Sequence, residues 1–283
     1  MSKPTYYVAS FSGGKDSTAM TLRLIELGYP LDEVICCDTT MEFPAMYRHI
    51  EKVRQVVASE GIKFTTLRAE HDFEYHLADV DVPNRKKESD HYGVPGRGWP
   101  SAKIRWCTKY LKLELIRKYF KEMREKYDVV QYIGIAADEG YRLERENNQD
   151  PNHRHPLVEW EWTEADAMAY CRGKGYDWEG LYDIFHRVSC WCCPLQAYDE
   201  LRKLRKHFPD LWQELLRLDA RQWQTFAHGY RVPDFDRRFA LEDALTEKDY
   251  SIKNRQFFAD LKRLLADEAD IETILKEREE AKT

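Results

Sequence analysis

What this 283-residue sequence lacks narrows the classes of protein to which it can belong. No run of eighteen apolar residues is present, so no segment has the length of a transmembrane helix, and no secretory signal pattern opens the chain. We therefore predict a cytoplasmic protein that contacts no membrane. Internal repeats and low-complexity tracts are also absent. Lysine and arginine number 44 against 50 acidic residues, and the net charge of −6 argues against adhesion to nucleic acid by bulk charge.

The residues that are present describe a globular α/β protein. Hydrophobic residues make up 43% of the chain and charged residues 33%, so a sizeable core can form. In the first half, strand patterns alternate with helical patterns, which predicts a doubly wound, mainly parallel sheet. The predicted strands cover residues 6–9, 33–37, 63–67 and 129–135. We predict two domains, an α/β domain over residues 1–195 and a helical C-terminal region over residues 196–283.

A hexapeptide at residues 12–17, Ser-Gly-Gly-Lys-Asp-Ser, lies between the first predicted strand and the first predicted helix. We call it the glycine loop. Two adjacent glycines let the backbone approach a ligand closely, and the unpaired N–H groups at a helix start attract an anion. The hydroxyls of Ser12 and Ser17 and the ammonium of Lys15 add donors for phosphate, while Asp16 suits Mg²⁺. The loop differs from a Walker A sequence, and it favours phosphate binding over an ordinary glycine turn.

Polar residues also follow other predicted strands. The carboxyl ends of parallel strands share one edge of a sheet, and ligands bind there. Asp38 and Thr39 end the second strand, and Asp138, Glu139 and Arg142 follow the fourth. Acidic and basic groups mixed after a strand suit a Mg²⁺–phosphate ligand. The alternatives are that Asp38 is a turn or cap residue and that the later group is a solvated charged turn.

Three cysteines lie within four residues, at Cys190, Cys192 and Cys193. In a reducing cytoplasm such thiols indicate metal or redox chemistry before disulfides, and soft thiolates select an iron–sulfur cluster or zinc. Cys190 and Cys193 have a chelating spacing, and Cys107 is the best candidate to complete the site from afar. Cys192 is either a further ligand or a free thiol that carries sulfur. With His186 nearby, Zn²⁺ is the competing assignment.

Together these motifs resemble the phosphoadenosine phosphosulfate (PAPS) reductase family, one of the PP-loop ATP pyrophosphatases of the adenine nucleotide alpha hydrolase-like superfamily. The resemblance covers about residues 5–200, and the motifs fall in the family's order. The residues that carry it are Ser12 to Ser17, Asp38-Thr39 with Glu42-Phe43-Pro44, Trp106-Cys107-Thr108, Gly134-Ile135 with Asp138, Glu139 and Arg142, Pro156-Leu157 with Trp160, and Cys190 to Pro194.

The resemblance implies the cofactors and the site residues. The implied cofactors are ATP or a sulfonucleotide (PAPS, or APS without the 3′-phosphate), Mg²⁺, and a [4Fe–4S] cluster with Zn²⁺ as the alternative. The implied nucleotide-binding residues are Ser10, Ser12, Gly13, Gly14, Lys15, Asp16, Ser17, Asp38, Thr39, Gly134 and Arg142. The implied metal ligands are Cys107, Cys190, Cys192 and Cys193 for the cluster, and Asp16, Asp138 and Glu139 for Mg²⁺. The implied catalytic residues are Lys15, Asp16 and Cys192.

The chain departs from the family pattern in ways that bear on function. No cysteine follows Cys193, so the C-terminal nucleophile of the reductases is missing, and the glycine loop is intact where reductases have an eroded one. Both departures favour relatives that consume ATP. We expect an enzyme that adenylates an acceptor for sulfur transfer. The alternatives are a thiol-dependent reductase that releases sulfite from PAPS or APS, and a non-catalytic nucleotide-binding accessory protein.

The resemblance also bears on partners and on the cluster. It implies an adenine nucleotide as ligand and a sulfur donor such as a cysteine desulfurase, or else a thiol reductant. A nucleic-acid acceptor and a homodimer are open expectations. The family's first adjacent cysteine pair is reduced here to Cys107 alone, so the thiols match the family's cluster ligands only in part.

Overall fold

The computed structural model of the chain describes residues 3–82, 86–89, 91–144 and 149–281. Its Cα positions divide into two compact units. The first unit comprises Met1–His76 and Ala102–Cys193, and the second comprises Leu77–Ser101 and Pro194–Thr283. Nowhere in the described ranges does a helix combine the length and the apolar character needed to cross a membrane.

The first unit contains a five-stranded sheet in which every pair of neighbouring strands is parallel. The strands are β1 (Thr5–Phe11), β2 (Glu33–Asp38), β3 (Lys63–Arg68), β4 (Asp128–Ile133) and β5 (His153–Arg154). Their order is β3-β2-β1-β4-β5. The chain therefore winds outward in both directions from β1, and this confirms the predicted doubly wound α/β fold.

Helices cover both faces of this sheet. They are α1 (Lys15–Glu26), α2 (Pro44–Ser59), α3 (Trp106–Thr108), α4 (Glu114–Lys126), α5 (Pro156–Glu159), α6 (Glu164–Gly173) and α7 (Leu181–Ile184). The crossovers through α1 and α2 move one way across the sheet, and the crossover through α4 moves the other way. Because such crossovers are right-handed, α1 and α2 lie on one face and α4 on the other. On the α4 side, Phe120 packs with Val8, Ile35 and Val129.

The topology also places a crevice. The loops after β1 and β4 leave neighbouring strands toward opposite faces, so they diverge at the carboxyl edge of the sheet. The glycine loop follows Phe11, the last residue of β1, and Gly134 follows Ile133, the last residue of β4.

Short 3₁₀-helices and π-helices lie between these elements. The 3₁₀-helices are Ala137–Arg142 and Trp178–Gly180, and the π-helices are Tyr75–Asp79 and Lys109–Leu113.

At the opposite, amino-terminal edge of the sheet, β2 begins with a carboxylate that is fully buried. Glu33 accepts hydrogen bonds from Tyr119 Oη at 2.6 Å, from Tyr6 Oη at 3.3 Å and from the Thr65 hydroxyl, and Lys63 Nζ lies 3.0 Å away. Burial raises the pKa of Glu33, but the hydrogen bonds from Thr65 and Tyr119 and the Lys63 ammonium lower it by more, so the net shift is downward.

Replacing Glu33 with alanine is expected to lower the free energy of unfolding by about 2–3 kcal/mol at pH 7, since three hydroxyls lose their acceptor. A folded-state pKa below the unfolded value of about 4.3 means that the contribution is complete above pH 4.3 and is lost as the pH falls through the folded pKa. Urea unfolding at pH 7 and pH 3.5 measures this difference. Glu122→Ala, at an exposed position of α4, is the control, and equal losses for both variants would refute the role of Glu33.

The second unit is helical, which confirms the predicted helical C-terminal region. Its helices are α8 (Tyr198–His207), α9 (Pro209–Ala220), α10 (Val232–Glu247), α11 (Arg255–Leu265) and α12 (Ile271–Glu280). One core cluster consists of Leu241, Leu245, Phe257, Leu261, Leu264 and Ile274. Basic side chains of α8 pair with acidic ones of α10, as in Arg202 with the buried Glu242 and Arg205 with Asp236.

Candidate functional site

The glycine loop is shaped by a left-handed residue at a crowded position. Gly13 has φ +81°, a conformation that residues with a side chain rarely adopt. A Cβ atom on Gly13 would also lie 2.7 Å from Met46 Sδ and 3.0 Å from Ile50 Cγ1, both on α2. Gly14 is the N-cap residue of α1 and has no side chain to cap the helix, and the first N–H of the helix, that of Lys15, donates to the Tyr182 hydroxyl at 3.1 Å.

The serines of the loop have different surroundings. The Ser17 hydroxyl accepts from Ser12 N at 3.1 Å and donates to Gly14 O at 3.1 Å, and its side chain is buried. Ser12 Oγ lies 3.1 Å from Ser17 Oγ and is exposed. On β1, Ser10 Oγ accepts from Gln131 Nε2 at 2.6 Å. Ser17 therefore closes the loop internally, and Ser12 is the serine of the loop that faces solvent.

Gly134 lets β4 approach the first turn of α1. A Cβ atom on Gly134 would lie 3.0 Å from both the Cα and the N of Ser17, and 3.2 Å from the carbonyl carbon of Asp16. Such distances are tighter than ordinary Cβ contacts, so the backbone of α1 would have to shift to admit a side chain. Gly134 thus has a packing reason to be glycine, and the end of β4 lies directly against the glycine loop.

Three carboxylates meet beside Lys15. Oxygen atoms of Asp16, Glu139 and Glu164 lie within 4.8 Å of one another. Lys15 Nζ is 3.1 Å from Asp16 Oδ2 and 3.0 Å from Glu164 Oε1, and an Arg142 guanidinium nitrogen is 2.6 Å from Glu139 Oε2. The side chains carry three negative charges against two positive ones. We call Asp16, Glu139 and Glu164 the carboxylate triad.

The carboxylate triad carries more negative charge than Lys15 and Arg142 balance, and the pKa values reflect this. Burial raises the pKa of Asp16, Lys15 opposes that rise, and Glu164 and Glu139 add to it. Asp16 Oδ1 is buried and has no hydrogen-bond partner among the described residues. Burial lowers the pKa of Lys15, but Asp16 and Glu164 raise it by more, so the ammonium stays charged. A further cation near Asp16 Oδ1 would give this oxygen a partner and would lower the pKa of Asp16.

The carboxylate triad differs from the predicted Mg²⁺ set in one member. Asp138 is exposed, and its Oδ1 accepts a hydrogen bond from Glu164 N at 3.0 Å, so it lies outside the triad and supports the start of α6. Glu164 takes its place. Sequence reasoning missed it because Thr163 and Asp166 form a capping box around it, and this pattern indicates only a helix start.

Asp38 and Thr39 hold the turn after β2. Asp38 Oδ1 accepts from Thr40 N at 2.8 Å and from Tyr47 Oη at 3.0 Å. The Thr39 hydroxyl donates to Glu42 Oε1 at 3.0 Å and lies 3.9 Å from Cys190 Sγ. Thr40 has φ +65°, a conformation that these bonds stabilise. Among their described contacts, Asp38 stabilises a turn and Thr39 adjoins the thiols.

The thiols of Cys107, Cys190, Cys192 and Cys193 lie in one region. Burial raises the pKa of Cys192 well above the ordinary thiol value, and Cys190, Cys193 and Cys107 are close enough to raise it further. A turn brings Cys193 N to 3.2 Å from Cys190 O. Cys192 is 1% exposed, whereas Cys107 and Cys193 are partly exposed. Across the described chain, no three of these sulfur atoms lie within 4.8 Å of one another.

Two charged side chains accompany the thiols. The pKa of Cys190 is raised to about 12, mainly by burial and also by Glu42, against the lowering effect of Lys112. Cys190 Sγ donates to Glu42 Oε1 at 3.5 Å, and Lys112 Nζ lies 4.0 Å from the same oxygen. Burial lowers the pKa of Lys112, but Cys190 and Glu42, with smaller effects of Cys37 and Cys107, raise it by more, so the ammonium stays charged beside the thiols. Cys190 and Cys192 are therefore protonated thiols, with one ammonium close enough to offset the charge of a thiolate.

Comparison with known proteins places the chain in a family. It is 30% identical over 215 residues to MJ0066, an uncharacterized protein of Methanocaldococcus jannaschii, and the match covers 73% of this chain and 40% of that protein. It is 27% identical over 216 residues to MJ0973, an uncharacterized protein of the same organism, with coverage of 74% and 47%. The chain therefore spans less than half the length of these two relatives.

One solved structure and one family match complete the comparison. The U34-tRNA thiolase NcsA from Methanococcus maripaludis, solved with its [4Fe-4S] cluster, matches with a TM-score of 0.37 and 15% identity, over 77% of this chain and 71% of that one. Residues 6–196, which include β1 to β5, the glycine loop and all seven cysteines, match the phosphoadenosine phosphosulfate reductase domain. The chain belongs to the phosphoadenosine phosphosulfate reductase domain family.

Proposed function

We propose that this chain binds ATP at the glycine loop and cleaves it between the α and β phosphates, so that an acceptor oxygen becomes adenylated for later displacement by sulfur. The observation that carries the proposal is the juxtaposition of an uncapped helix start, a lysine and the carboxylate triad at the crevice between β1 and β4. The helix start and the lysine attract an anion, and the carboxylate triad attracts a cation.

Phosphate binding falls to the backbone and to Lys15. The N–H groups at the start of α1 and the positive end of its dipole attract phosphate oxygens. Lys15 Nζ is now held by Asp16 and Glu164, and a rotation of its flexible side chain brings the ammonium to a phosphate. Lys15 then offsets the charge that develops on pyrophosphate as it leaves.

The carboxylate triad fits Mg²⁺. Its donors are hard oxygens, one of them is the unpartnered Asp16 Oδ1, and Asp16, Glu139 and Glu164 would hold the ion. When Lys15 turns to a phosphate, three carboxylates remain with Arg142 alone, and this net charge of −2 matches one divalent cation. Bound Mg²⁺ supplies charge compensation for the phosphate oxygens.

The reaction itself needs few protein groups. An acceptor hydroxyl attacks the α-phosphorus, the bond from that phosphorus to the bridging oxygen breaks, and the products are the adenylate, pyrophosphate and the proton of the hydroxyl. Catalysis is then mainly positioning and electrostatic stabilisation, as in other phosphoryl-type transfers. In this account Lys15 stabilises the leaving group, and Asp16 orients Lys15 before the nucleotide binds.

The thiols fit an iron–sulfur cluster better than zinc. Four thiolates on one tetrahedral Zn²⁺ lie about 3.8 Å apart, given bonds of about 2.3 Å, and these sulfur atoms are more dispersed than that. In a cluster each thiolate binds a different iron, so a wider spacing is expected. Cys107, Cys190, Cys192 and Cys193 would hold it. The complete burial of Cys192 favours its role as a ligand over that of a sulfur carrier.

A reductase is the second candidate, since the chain belongs to a family described by PAPS reduction. That reaction needs a nucleophilic thiolate. Burial raises the pKa of both Cys190 and Cys192, so neither is an activated nucleophile as placed, and the thiol would have to come from a partner. We therefore rank adenylation first.

Product analysis with anaerobically purified, iron-reconstituted protein tests the proposal. Given ATP, Mg²⁺, acceptor nucleic acid and a sulfur donor, the expected products are pyrophosphate from adenylation and AMP from the displacement of the adenylate by sulfur, and given PAPS or APS no sulfite is released. ADP and inorganic phosphate, or binding of ATP without any product when acceptor nucleic acid and a sulfur donor are supplied, would contradict adenylation. Sulfite release in the presence of thioredoxin-type dithiols would support the reductase instead.

A further inference from the structure

A tyrosine from outside the glycine loop lies at the start of α1. Tyr182, the second residue of α7, accepts a hydrogen bond through its hydroxyl oxygen from Lys15 N at 3.1 Å. A Cβ atom on Gly14 would lie 3.5 Å from this oxygen and 3.5 Å from Ser12 Oγ. Two hydroxyls, those of Tyr182 and Ser12, therefore flank Gly14 in the glycine loop.

The hydroxyl proton of Tyr182 is available for donation. A phenol accepts and donates one hydrogen bond each, and the described residues include no acceptor for this proton. Burial raises the pKa of Tyr182, so the proton stays on the oxygen at neutral pH. Because the Lys15 N–H already donates to this oxygen, the O–H bond is polarised and becomes a stronger donor.

We propose that Tyr182 is a phosphate ligand, and that its hydroxyl donates a hydrogen bond to an oxygen of the nucleotide phosphates bound at the glycine loop. The inference rests on the proposed function and adds to it a binding residue that no motif of the loop contains. It also explains why the start of α1 can lack a side-chain cap of its own, since Tyr182 satisfies the Lys15 N–H.

Trp178 fixes this arrangement from behind the loop. Its indole N–H donates to Gly13 O at 2.7 Å, and its ring meets the Tyr182 ring edge-on with centroids 4.9 Å apart. Trp178 and Glu179 have φ +52° and +53°, a conformation that is unfavourable for residues with side chains. Trp178 is therefore a positioning residue, and its contacts with Gly13 and Tyr182 stabilise the strained turn that holds it.

Side chains around the strained turn hold it in place. Asp177 Oδ1 accepts from Glu179 N at 3.0 Å, and Arg48 donates two hydrogen bonds of 2.5 Å to the Glu179 carboxylate. A turn stabilised from both sides keeps the rings of Trp178 and Tyr182 at the loop before any ligand arrives. Such preorganisation lowers the entropy cost of binding.

The opposite role for Tyr182 makes a different prediction. If its hydroxyl only blocked the Lys15 N–H, a phosphate would have to displace it, and removing the hydroxyl would tighten nucleotide binding. If the hydroxyl is a ligand, removing it weakens binding. The sign of the change in the dissociation constant therefore separates the two roles.

Isothermal titration of the full chain with α,β-methylene-ATP and Mg²⁺ gives that sign. Tyr182→Phe is expected to weaken binding roughly tenfold or more, the loss of one hydrogen bond to a charged group. Trp178→Phe, which removes the bond to Gly13 O but keeps the Tyr182 hydroxyl, is expected to give a smaller loss. Tyr170→Phe is the matched control, because its hydroxyl bonds Glu26 at the far end of α1.

The outcomes are separable. Unchanged or tighter binding by a folded Tyr182→Phe protein, with wild-type binding intact, would overturn the role of Tyr182 and leave the proposed function standing. Failure of the wild-type chain to bind the nucleotide would overturn the proposed function itself. Should Tyr182→Phe not fold, an equal affinity of Trp178→Phe and wild type would overturn the inference.

Discussion

Replacing Lys15 with alanine is expected to lower the rate of AMP and pyrophosphate formation at least about a hundredfold, the usual effect of removing one charge-stabilising donor from an active site. In the structure, Lys15 Nζ lies 3.1 Å from Asp16 Oδ2 and 3.0 Å from Glu164 Oε1, beside the start of α1. The variant loses the cation that faces the departing phosphates and leaves the carboxylate triad with Arg142 alone. Single-turnover analysis of α-labelled ATP measures the rate.

Lys174→Ala is the matched control for this variant. Lys174 pairs with Glu26 at 3.0 Å, at the far end of α1, and both side chains are exposed. We expect the control to form AMP at the wild-type rate and to unfold at the same urea concentration. A Lys15→Ala protein that kept the wild-type rate would contradict the proposed mechanism, whatever its nucleotide affinity.

Replacing Cys190 with serine is expected to remove most of the bound iron and the broad visible absorbance of anaerobically prepared protein. Among the thiols, Cys190 has the largest effect on the pKa of Cys192, and its Sγ donates to Glu42 Oε1 at 3.5 Å. A serine hydroxyl is a poor ligand for iron in place of a thiolate, and three thiols then remain. Iron and sulfide analysis, together with the spectrum, measures the loss.

Cys171→Ser provides the control for the iron content. Cys171 is fully buried on α6, where its thiol donates to Lys15 O at 3.5 Å, against the glycine loop. We expect this variant to keep its iron. Wild-type protein that is colourless and carries one zinc per chain would contradict the cluster and support the Zn²⁺ alternative.

The general fold follows from local patterns in the sequence. Apolar runs of strand length alternate with helical periods, and right-handed crossovers leave few ways to arrange them, so the sheet, α1 and α2 were predictable. β5 was not, because His153–Arg154 is too short for any alternation and pairs with β4 only through two positions. Gly134 and Ile135 lie past the end of β4, although their apolar character extended the predicted strand.

The glycine loop was predictable because all its parts are consecutive. Glu164 and Tyr182 reach it from α6 and α7, and neither has a local signal of that contact, since one sits in a capping box and the other in a short apolar turn. Their place depends on how these helices pack beside α1, which no spacing in the sequence encodes. Cys107, by contrast, could be linked to the later thiols, because an iron–sulfur cluster needs more cysteine ligands than one local pair supplies.

The most direct test of the central claim is a crystal structure of anaerobic protein with α,β-methylene-ATP and Mg²⁺. The account predicts the phosphates in the glycine loop, with Lys15 Nζ turned from Glu164 to a phosphate oxygen, the Tyr182 hydroxyl on another, and the ion on Asp16. A nucleotide bound elsewhere on the chain, with the loop empty and Lys15 still paired with Glu164, would contradict it.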